Sequence, residues 1–200
     1  MASGLRFGPI GENTVHLCVD MQCLFTGSSP WAMPWFERVL PNVCLLVEKR
    51  PTHTVFTRFI PPLSPENSGG AWARYYNKWR CMTLDQLPPE DVNLVAELEL
   101  FVPPARVVDK SVYSPWHFTQ LHQTLRMANV DTLLISGGET DVCVLATVLG
   151  AVDLGYRVIL VSDAVCSSSD QAHDAMQGFY AGRLSLQVET AETQVILSNW

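Results

Sequence analysis

Charged residues are scarce in this chain of 200 residues. They make up 16% of it, while hydrophobic residues make up 48%; ordinary soluble domains carry about 25% charge. Such an apolar composition excludes disorder, and it predicts that part of the surface is buried against another subunit. Lysine and arginine together number 13, fewer than the 20 aspartates and glutamates, and the net charge is −7. This charge excludes the phosphate backbone of a nucleic acid as a partner.

Long apolar runs are also absent. No wholly apolar run reaches the roughly 18 residues that a membrane-spanning helix needs. The first nine residues, which read MASGLRFGP, lack the apolar core of a secretory signal. The sequence therefore predicts a cytoplasmic protein that does not associate with membranes.

Closely spaced cysteine pairs are the third absence. The chain has five scattered histidines and six cysteines but no Cys-x-x-Cys pair, which argues against a structural zinc site. A chain of this length can bury about 70% of its unfolded surface without covalent cross-links. We therefore expect reduced thiols, no metal and no cofactor. The six cysteines are Cys18, Cys23, Cys44, Cys81, Cys143 and Cys166.

What is present is a regular alternation of short β-branched runs with helical patterns. Predicted strands lie at 14–19, 53–58, 106–109, 131–136, 157–161 and 186–188, and the longer predicted helices at 35–49, 114–127, 141–154 and 170–180. Alternation with short connections implies right-handed βαβ units. The sequence predicts one α/β domain over residues 1–200, a doubly wound three-layer fold with a mostly parallel sheet of about six strands.

One segment, residues 60–89, breaks this alternation. It contains five of the thirteen prolines and the aromatic cluster Trp72, Tyr75, Tyr76 and Trp79. A loop this long in a compact domain is usually functional, which favours a lid or an oligomer contact. The alternative is a helix whose aromatic side chains pack on the body of the domain, and the sequence leaves both open.

Reactive side chains follow the predicted strands. Parallel sheets bind ligands at the carboxyl ends of their strands, where this sequence has Asp20, Arg58, Lys110 and the segment 137–143. Cys143 falls in the first turn of a helix, where the helix dipole and a nearby ammonium such as Lys110 would lower the thiol pKa. Asp20 could exchange a proton with that sulfur. The pattern predicts an activated cysteine nucleophile.

Three segments extend this pattern to a family resemblance. The stretches HLCVDMQ at 16–22, VDKSVYS at 108–114 and ISGGETDVCV at 135–144 resemble the isochorismatase-like cysteine hydrolases. This superfamily includes nicotinamidases, N-carbamoylsarcosine amidohydrolase, and biuret and ureidoacrylate hydrolases. The motifs stand in the family's order, and the resemblance covers about residues 14–190.

The resemblance implies a role for each matching residue. Cys143 matches the nucleophile, Asp20 the general acid and base, and Lys110 the third member of the triad. It also implies a cis peptide bond at Gly138–Glu139 and an oxyanion site made by the N–H groups of Glu139 and Cys143. The implied reaction is hydrolysis of a C–N bond in a small amide, ureido or carbamoyl substrate through a thioester, in a homodimer or homotetramer.

The sequence also departs from the family. Metal-binding nicotinamidases carry an Asp-x-His pair after the second strand, whereas this chain reads FTRFIPP at 56–62 and has no histidine at 54–116. A metal site and nicotinamide as substrate are therefore not expected. True isochorismatases lack the nucleophilic cysteine, so Cys143 argues against that branch.

Substrate recognition can be assigned only to candidates. The guanidinium of Arg58 could hold a substrate carboxylate bidentately, or it could pair with Glu66 or Asp85. Four aromatic residues could wall the pocket or simply pack, namely Tyr113, Trp116, Trp72 and Tyr76.

Two other functions remain as alternatives. One is a non-catalytic ligand-binding or scaffold protein, which would not need an activated thiol. The other is thiol redox chemistry. The absence of a resolving Cys-x-x-Cys partner for Cys143 argues against it.

Overall fold

A six-stranded sheet forms the centre of the protein, for which a computed structural model describes residues 5–200. Neighbouring strands are all parallel, in the order β3-β2-β1-β4-β5-β6. The strands are β1 (Thr14–Val19), β2 (Thr54–Phe59), β3 (Arg106–Lys110), β4 (Thr132–Gly138), β5 (Arg157–Cys166) and β6 (Val188–Ala191). The predicted α/β class and the predicted parallel sheet are confirmed.

Seven α-helices occur within residues 5–200. They are α1 (Phe36–Lys49), α2 (Gly70–Lys78), α3 (Ala96–Glu99), α4 (Leu121–Met127), α5 (Cys143–Asp153), α6 (Asp170–Ala181) and α7 (Thr193–Asn199). Over the same residues, every helix is too short or too polar to cross a bilayer.

The sheet is covered on both faces, because its central strands are buried on both. All six residues of β1 and all seven of β4 are buried. Cys18 joins the core that contains α1 and α7, while Leu17 and Val19, which point the other way, join the core that contains α5. The two cores give the three layers of the doubly wound fold.

The helix predicted at 114–127 is much shorter than expected and begins only at Leu121. The hydroxyl of Ser114 accepts a hydrogen bond from the Trp116 N–H, as expected of a helix start. Phe118, however, has a φ of 61°, a left-handed conformation that cannot continue a right-handed helix. The backbone at Phe118 therefore stops the helix that the Ser-Pro start signal favours.

The segment 60–89 contains the helix α2 and short 3-10 turns rather than one long loop. Tyr76 is buried in the core, and Trp72, Tyr75 and Trp79 pack against that core. Of the two interpretations left open, the structure shows the helix that packs on the body, and the expectation of a loop throughout is wrong.

A buried histidine in β1 makes stability depend on pH. His16 is inaccessible to solvent, its Nε2 is paired with the Ser136 hydroxyl at 2.7 Å, and burial lowers its pKa to about 3. The unfolded chain binds this proton below about pH 6.5, whereas the folded chain binds it only near its lowered pKa. The contribution of His16 to stability is therefore present above about pH 6.5 and is lost as the pH falls toward 3.

His16→Gln should flatten that dependence. Between about pH 6 and 4, the free energy of unfolding of the wild type should fall more steeply than that of the variant, by about 1.4 kcal/mol per pH unit. Urea denaturation at several pH values measures both slopes. The control His117→Gln changes an exposed histidine and should keep the wild-type slope. Equal slopes for His16→Gln and the wild type would contradict the assignment.

Candidate active site

The candidate site lies where the chain changes direction across the sheet, between β1 and β4. In a sheet of this order the two halves wind in opposite directions from that point, which leaves a crevice at the carboxyl ends of the strands. Asp20 follows β1, Cys143 follows β4 as the first residue of α5, and Lys110 ends β3. The fold thus brings together three residues that are far apart in the sequence.

These three side chains are in contact. Lys110 Nζ donates to Asp20 Oδ2 at 2.7 Å and to the Val112 carbonyl at 3.2 Å, and it lies 3.5 Å from Cys143 Sγ. The side chains of Asp20 and Lys110 are fully inaccessible, and Cys143 is 5% exposed. The other carboxylate oxygen, Asp20 Oδ1, accepts a hydrogen bond from the Thr57 hydroxyl at 2.6 Å. The carboxylate is therefore fixed through both oxygens.

The protonation of the site differs from the sequence prediction. Burial raises the pKa of the Cys143 thiol well above its ordinary value, the Asp20 carboxylate raises it further, and the Lys110 ammonium only partly opposes them. The prediction of a lowered thiol pKa is wrong for the free protein, because Cys143 is buried. Its thiol is protonated at neutral pH, beside a carboxylate that can accept the proton.

Lys110 keeps its charge despite its burial. Burial lowers the pKa of its ammonium, but Asp20 and Cys143 together outweigh that effect and leave the pKa above its ordinary value. A buried cation held this way stabilises the Asp20 carboxylate, and it would stabilise negative charge on the Cys143 sulfur once the thiol loses its proton.

Two backbone N–H groups in the segment that leads into α5 have no backbone acceptor. The N–H groups of Val142 and Val144 both donate to the Glu139 carbonyl, whereas in residues 5–200 no backbone acceptor pairs with the N–H of Glu139 or of Cys143. The Gly138–Glu139 peptide bond is cis. Two free N–H groups beside a nucleophile can stabilise an oxyanion.

A small cavity lies over Cys143. Its volume is about 20 Å³, which is room for about one water molecule, so any larger ligand must displace part of the wall. Tyr113, at 37% exposed, is the wall's most accessible aromatic residue. The cavity is lined by Phe25, Trp31, Phe59, Tyr75, Tyr113, Glu139 and Cys143.

Of the aromatic residues in this wall, the sequence singled out only Tyr113 as a pocket candidate, and it indicated Tyr75 only as part of the aromatic cluster of residues 60–89. Phe25 lies 5 residues after Asp20, Trp31 lies 11 residues after it, and Phe59 ends β2. Proximity to a strand end was therefore an available signal for Phe25 and Phe59, but not for Trp31 or for Tyr75, which lies in α2.

The other aromatic candidates lie outside this cavity. Trp72 packs on Tyr113, with ring centroids 4.8 Å apart, and it stacks on Tyr76, with ring centroids 5.9 Å apart. Trp72 and Tyr76 do not line the cavity over Cys143. They line a separate groove of about 730 Å³. Trp116 donates from Nε1 to the Thr147 carbonyl at 2.9 Å and stacks on Tyr156. The structure places Trp116 in the packing of α5, and its prediction as a pocket residue is corrected.

Arg58 does not face the cavity either. Its guanidinium binds both carboxylate oxygens of Asp109, at 2.7 and 2.9 Å, and the Asn93 side chain at 3.2 Å. The alternative partners are engaged elsewhere, Glu66 with Arg80 and Asp85 with Thr83. Arg58 is thus a cross-strand partner of Asp109. Of the two interpretations left open by the sequence, the structure shows an ion pair, with Asp109 in place of Glu66 or Asp85.

The residues at the end of β2 do not fit a metal of the nicotinamidase type. Thr57 is hydrogen-bonded to Asp20, and Arg58 is paired with Asp109. Neither Thr57 nor Arg58 is a histidine or carries a carboxylate. In the part of the chain that the structure describes, no three His, Cys, Asp or Glu side chains cluster as a metal site would require.

The family model of the isochorismatase domain matches residues 14–192. Among curated proteins, the chain is 26% identical over 161 residues to the uncharacterized isochorismatase family protein YwoC of Bacillus subtilis, covering 78% of this chain and 81% of that one. It is 29% identical over 180 residues to maleamate amidohydrolase of Pseudomonas putida, covering 86% and 80%.

A solved structure shares the fold over the whole chain. The cysteine hydrolase from Pseudomonas syringae pv. phaseolicola superposes with a TM-score of 0.83 at 22% identity, covering 100% of this chain and 98% of that one.

Proposed function

The chain belongs to the isochorismatase family, and from this premise we propose that it is a cysteine hydrolase that cleaves a C–N bond of a small, uncharged amide, ureido or carbamoyl compound. One observation carries the proposal. The Lys110 ammonium lies between the Asp20 carboxylate, at 2.7 Å, and the Cys143 sulfur, at 3.5 Å. Asp20, Lys110 and Cys143 form the proposed catalytic triad.

The first half of the proposed reaction forms a thioester. The Cys143 thiol gives its proton to Asp20, and the sulfur attacks the carbonyl carbon to form the S–C bond. The resulting oxyanion accepts hydrogen bonds from the N–H groups of Glu139 and Cys143. Asp20 then gives the proton to the leaving nitrogen, the C–N bond breaks, and ammonia or an amine departs.

The second half releases the acid. Water gives a proton to Asp20 and attacks the thioester carbon, and the S–C bond then breaks. The proton on Asp20 returns to the sulfur, which restores the thiol. Lys110 keeps its proton throughout and stabilises the negative charge as it moves between Asp20 and Cys143.

The cavity favours a substrate without a carboxylate. None of its lining residues is a lysine, arginine or histidine, and the Lys110 ammonium is already bound to Asp20 and Val112. A substrate carboxylate would be buried near Asp20 and Glu139 without a cation of its own, which is unfavourable. Since Arg58 is bound to Asp109, the carboxylate-bearing substrate considered from the sequence is replaced here by an uncharged one.

Ammonia release from matched amides tests this function. Maleamide and maleamate differ only in an amide against a carboxylate, as do terephthalamide and 4-carbamoylbenzoate. We expect the uncharged member of each pair to have at least about a tenfold higher kcat/KM, because an unpaired buried charge is costly. The variant Arg58→Gln should stay within about twofold of the wild type in kcat/KM. Preference for the carboxylates, lost in Arg58→Gln, would contradict the proposed substrate class.

A further inference from the structure

We propose that Trp31 determines substrate specificity, by donating a hydrogen bond from its indole N–H to an acceptor on the substrate other than the scissile carbonyl. The inference rests on the proposed function, because it names a second recognition point in the cavity of Cys143. Nothing in the sequence pattern singled out Trp31, which lies between β1 and α1.

The indole N–H of Trp31 is buried and has no acceptor among residues 5–200. The residue is 8% exposed and lines the cavity over Cys143. Its ring stacks on Phe25 and meets Phe59 edge-on, with ring centroids 6.3 and 6.1 Å apart, and its centroid lies 5.8 Å from that of Tyr75. Packed in this way, the ring cannot turn to find an acceptor elsewhere.

A buried N–H without an acceptor is unusual. The great majority of buried polar atoms in proteins are hydrogen-bonded, and leaving one unpaired is unfavourable. The indole N–H of Trp116 donates to the Thr147 carbonyl, whereas the indole N–H of Trp200 is buried without a partner, as that of Trp31 is. Among the residues with such an unpaired atom in 5–200, only Trp31 lines the cavity over Cys143. An unpaired donor in the wall of a reactive cavity is explained if a ligand supplies its acceptor.

This donor narrows the substrate class. The scissile carbonyl oxygen is assigned to the free N–H groups of Glu139 and Cys143, so Trp31 remains for a second acceptor. The cavity disfavours a carboxylate, and the second acceptor is therefore an uncharged oxygen or nitrogen. Amides that carry no second acceptor should be poor substrates.

The test uses aldehydes that resemble such substrates. The Cys143 thiol adds across an aldehyde C=O, forming an S–C bond while its proton goes to the aldehyde oxygen. Benzaldehyde and the 2-, 3- and 4-pyridinecarbaldehydes have the same shape, but only the pyridines carry a ring acceptor. Protection of Cys143 from iodoacetamide, read by mass spectrometry, gives the concentration at which each aldehyde binds.

The deciding quantity is the preference for the best pyridine aldehyde over benzaldehyde. Because the intrinsic reactivities of the aldehydes are the same with every variant, the change in this preference isolates the hydrogen bond. We expect Trp31→Phe to reduce the preference about tenfold. Trp79→Phe, which removes a neighbour of Trp31 that does not line the cavity, should keep it. An unchanged preference in Trp31→Phe would overturn the inference and indicate that the N–H faces an aromatic ring.

A second measurement separates Trp31 from the chemistry of Cys143. If no aldehyde protects Cys143 in the wild type, the proposed nucleophile fails, and the indole N–H signal of Trp31 is then read by NMR in Cys143→Ala. A shift on adding a pyridinecarboxamide, absent with benzamide, supports Trp31 as the donor. The absence of any shift overturns it. This measurement changes neither Trp31 nor any of its aromatic neighbours.

Discussion

Cys143→Ala should lower kcat by at least about 10⁴-fold, because loss of a covalent nucleophile removes most of the catalysis that its partners support. The remaining Asp20–Lys110 pair and the free N–H groups cannot form a thioester. The free energy of unfolding should fall by only about 1 kcal/mol, since a single buried sulfur atom is removed. Ammonia release and urea denaturation measure the two effects.

The matched control is Cys166→Ala. Cys166 is as buried as Cys143, and burial raises the pKa of its thiol to about 12, but its sulfur lies near Met33 rather than near Asp20 and Lys110. We expect its kcat to stay within about twofold of the wild type. Activity in Cys143→Ala comparable with that in Cys166→Ala would contradict the proposed mechanism.

Asp20→Asn should damage both activity and stability. The amide cannot take the thiol proton, so kcat should fall by about 10³-fold or more. The substitution also leaves the Lys110 ammonium buried without its carboxylate, which is 2.7 Å away in a pair fully shielded from solvent. Breaking a buried pair on one side typically costs about 3–5 kcal/mol of stability.

The double variant Asp20→Asn, Lys110→Met separates these two effects. Methionine has no charge and occupies a similar volume, so most of the lost stability should return, while kcat should stay as low as in Asp20→Asn. Urea denaturation and ammonia release on the wild type and both variants give the comparison. Unchanged stability in Asp20→Asn, or recovered activity in the double variant, would contradict the roles assigned to the pair.

The sheet could be predicted from the sequence because its signals are local. The apolar runs of β1 and β4 and the helical spacing of α1 depend only on neighbours in the chain. The meeting of Asp20, Lys110 and Cys143 followed from one rule, that parallel strands end at a common edge. Applying that rule requires knowing where each strand ends in the sequence, but not the order of the strands in the sheet.

The wrong assignments depend on long-range packing. Arg58 lies directly opposite Asp109 in the register of β2 and β3, a pairing visible only once the strand order is known. The aromatic wall formed by Phe25, Trp31 and Tyr75 comes from segments that meet only in the folded chain. The thiol pKa of Cys143 depends on its burial, which the helix position does not reveal. The expected oligomer stays a prediction.

Acyl transfer to hydroxylamine tests the central claim, a thioester on Cys143, most directly. A thioester reacts with hydroxylamine as well as with water, so the products of an accepted amide should divide between hydroxamate and acid. The account predicts that the hydroxamate share rises with hydroxylamine concentration in the wild type and that Cys143→Ala forms neither product. Acid as the sole product at every hydroxylamine concentration would show that water attacks the amide directly, and it would contradict the account.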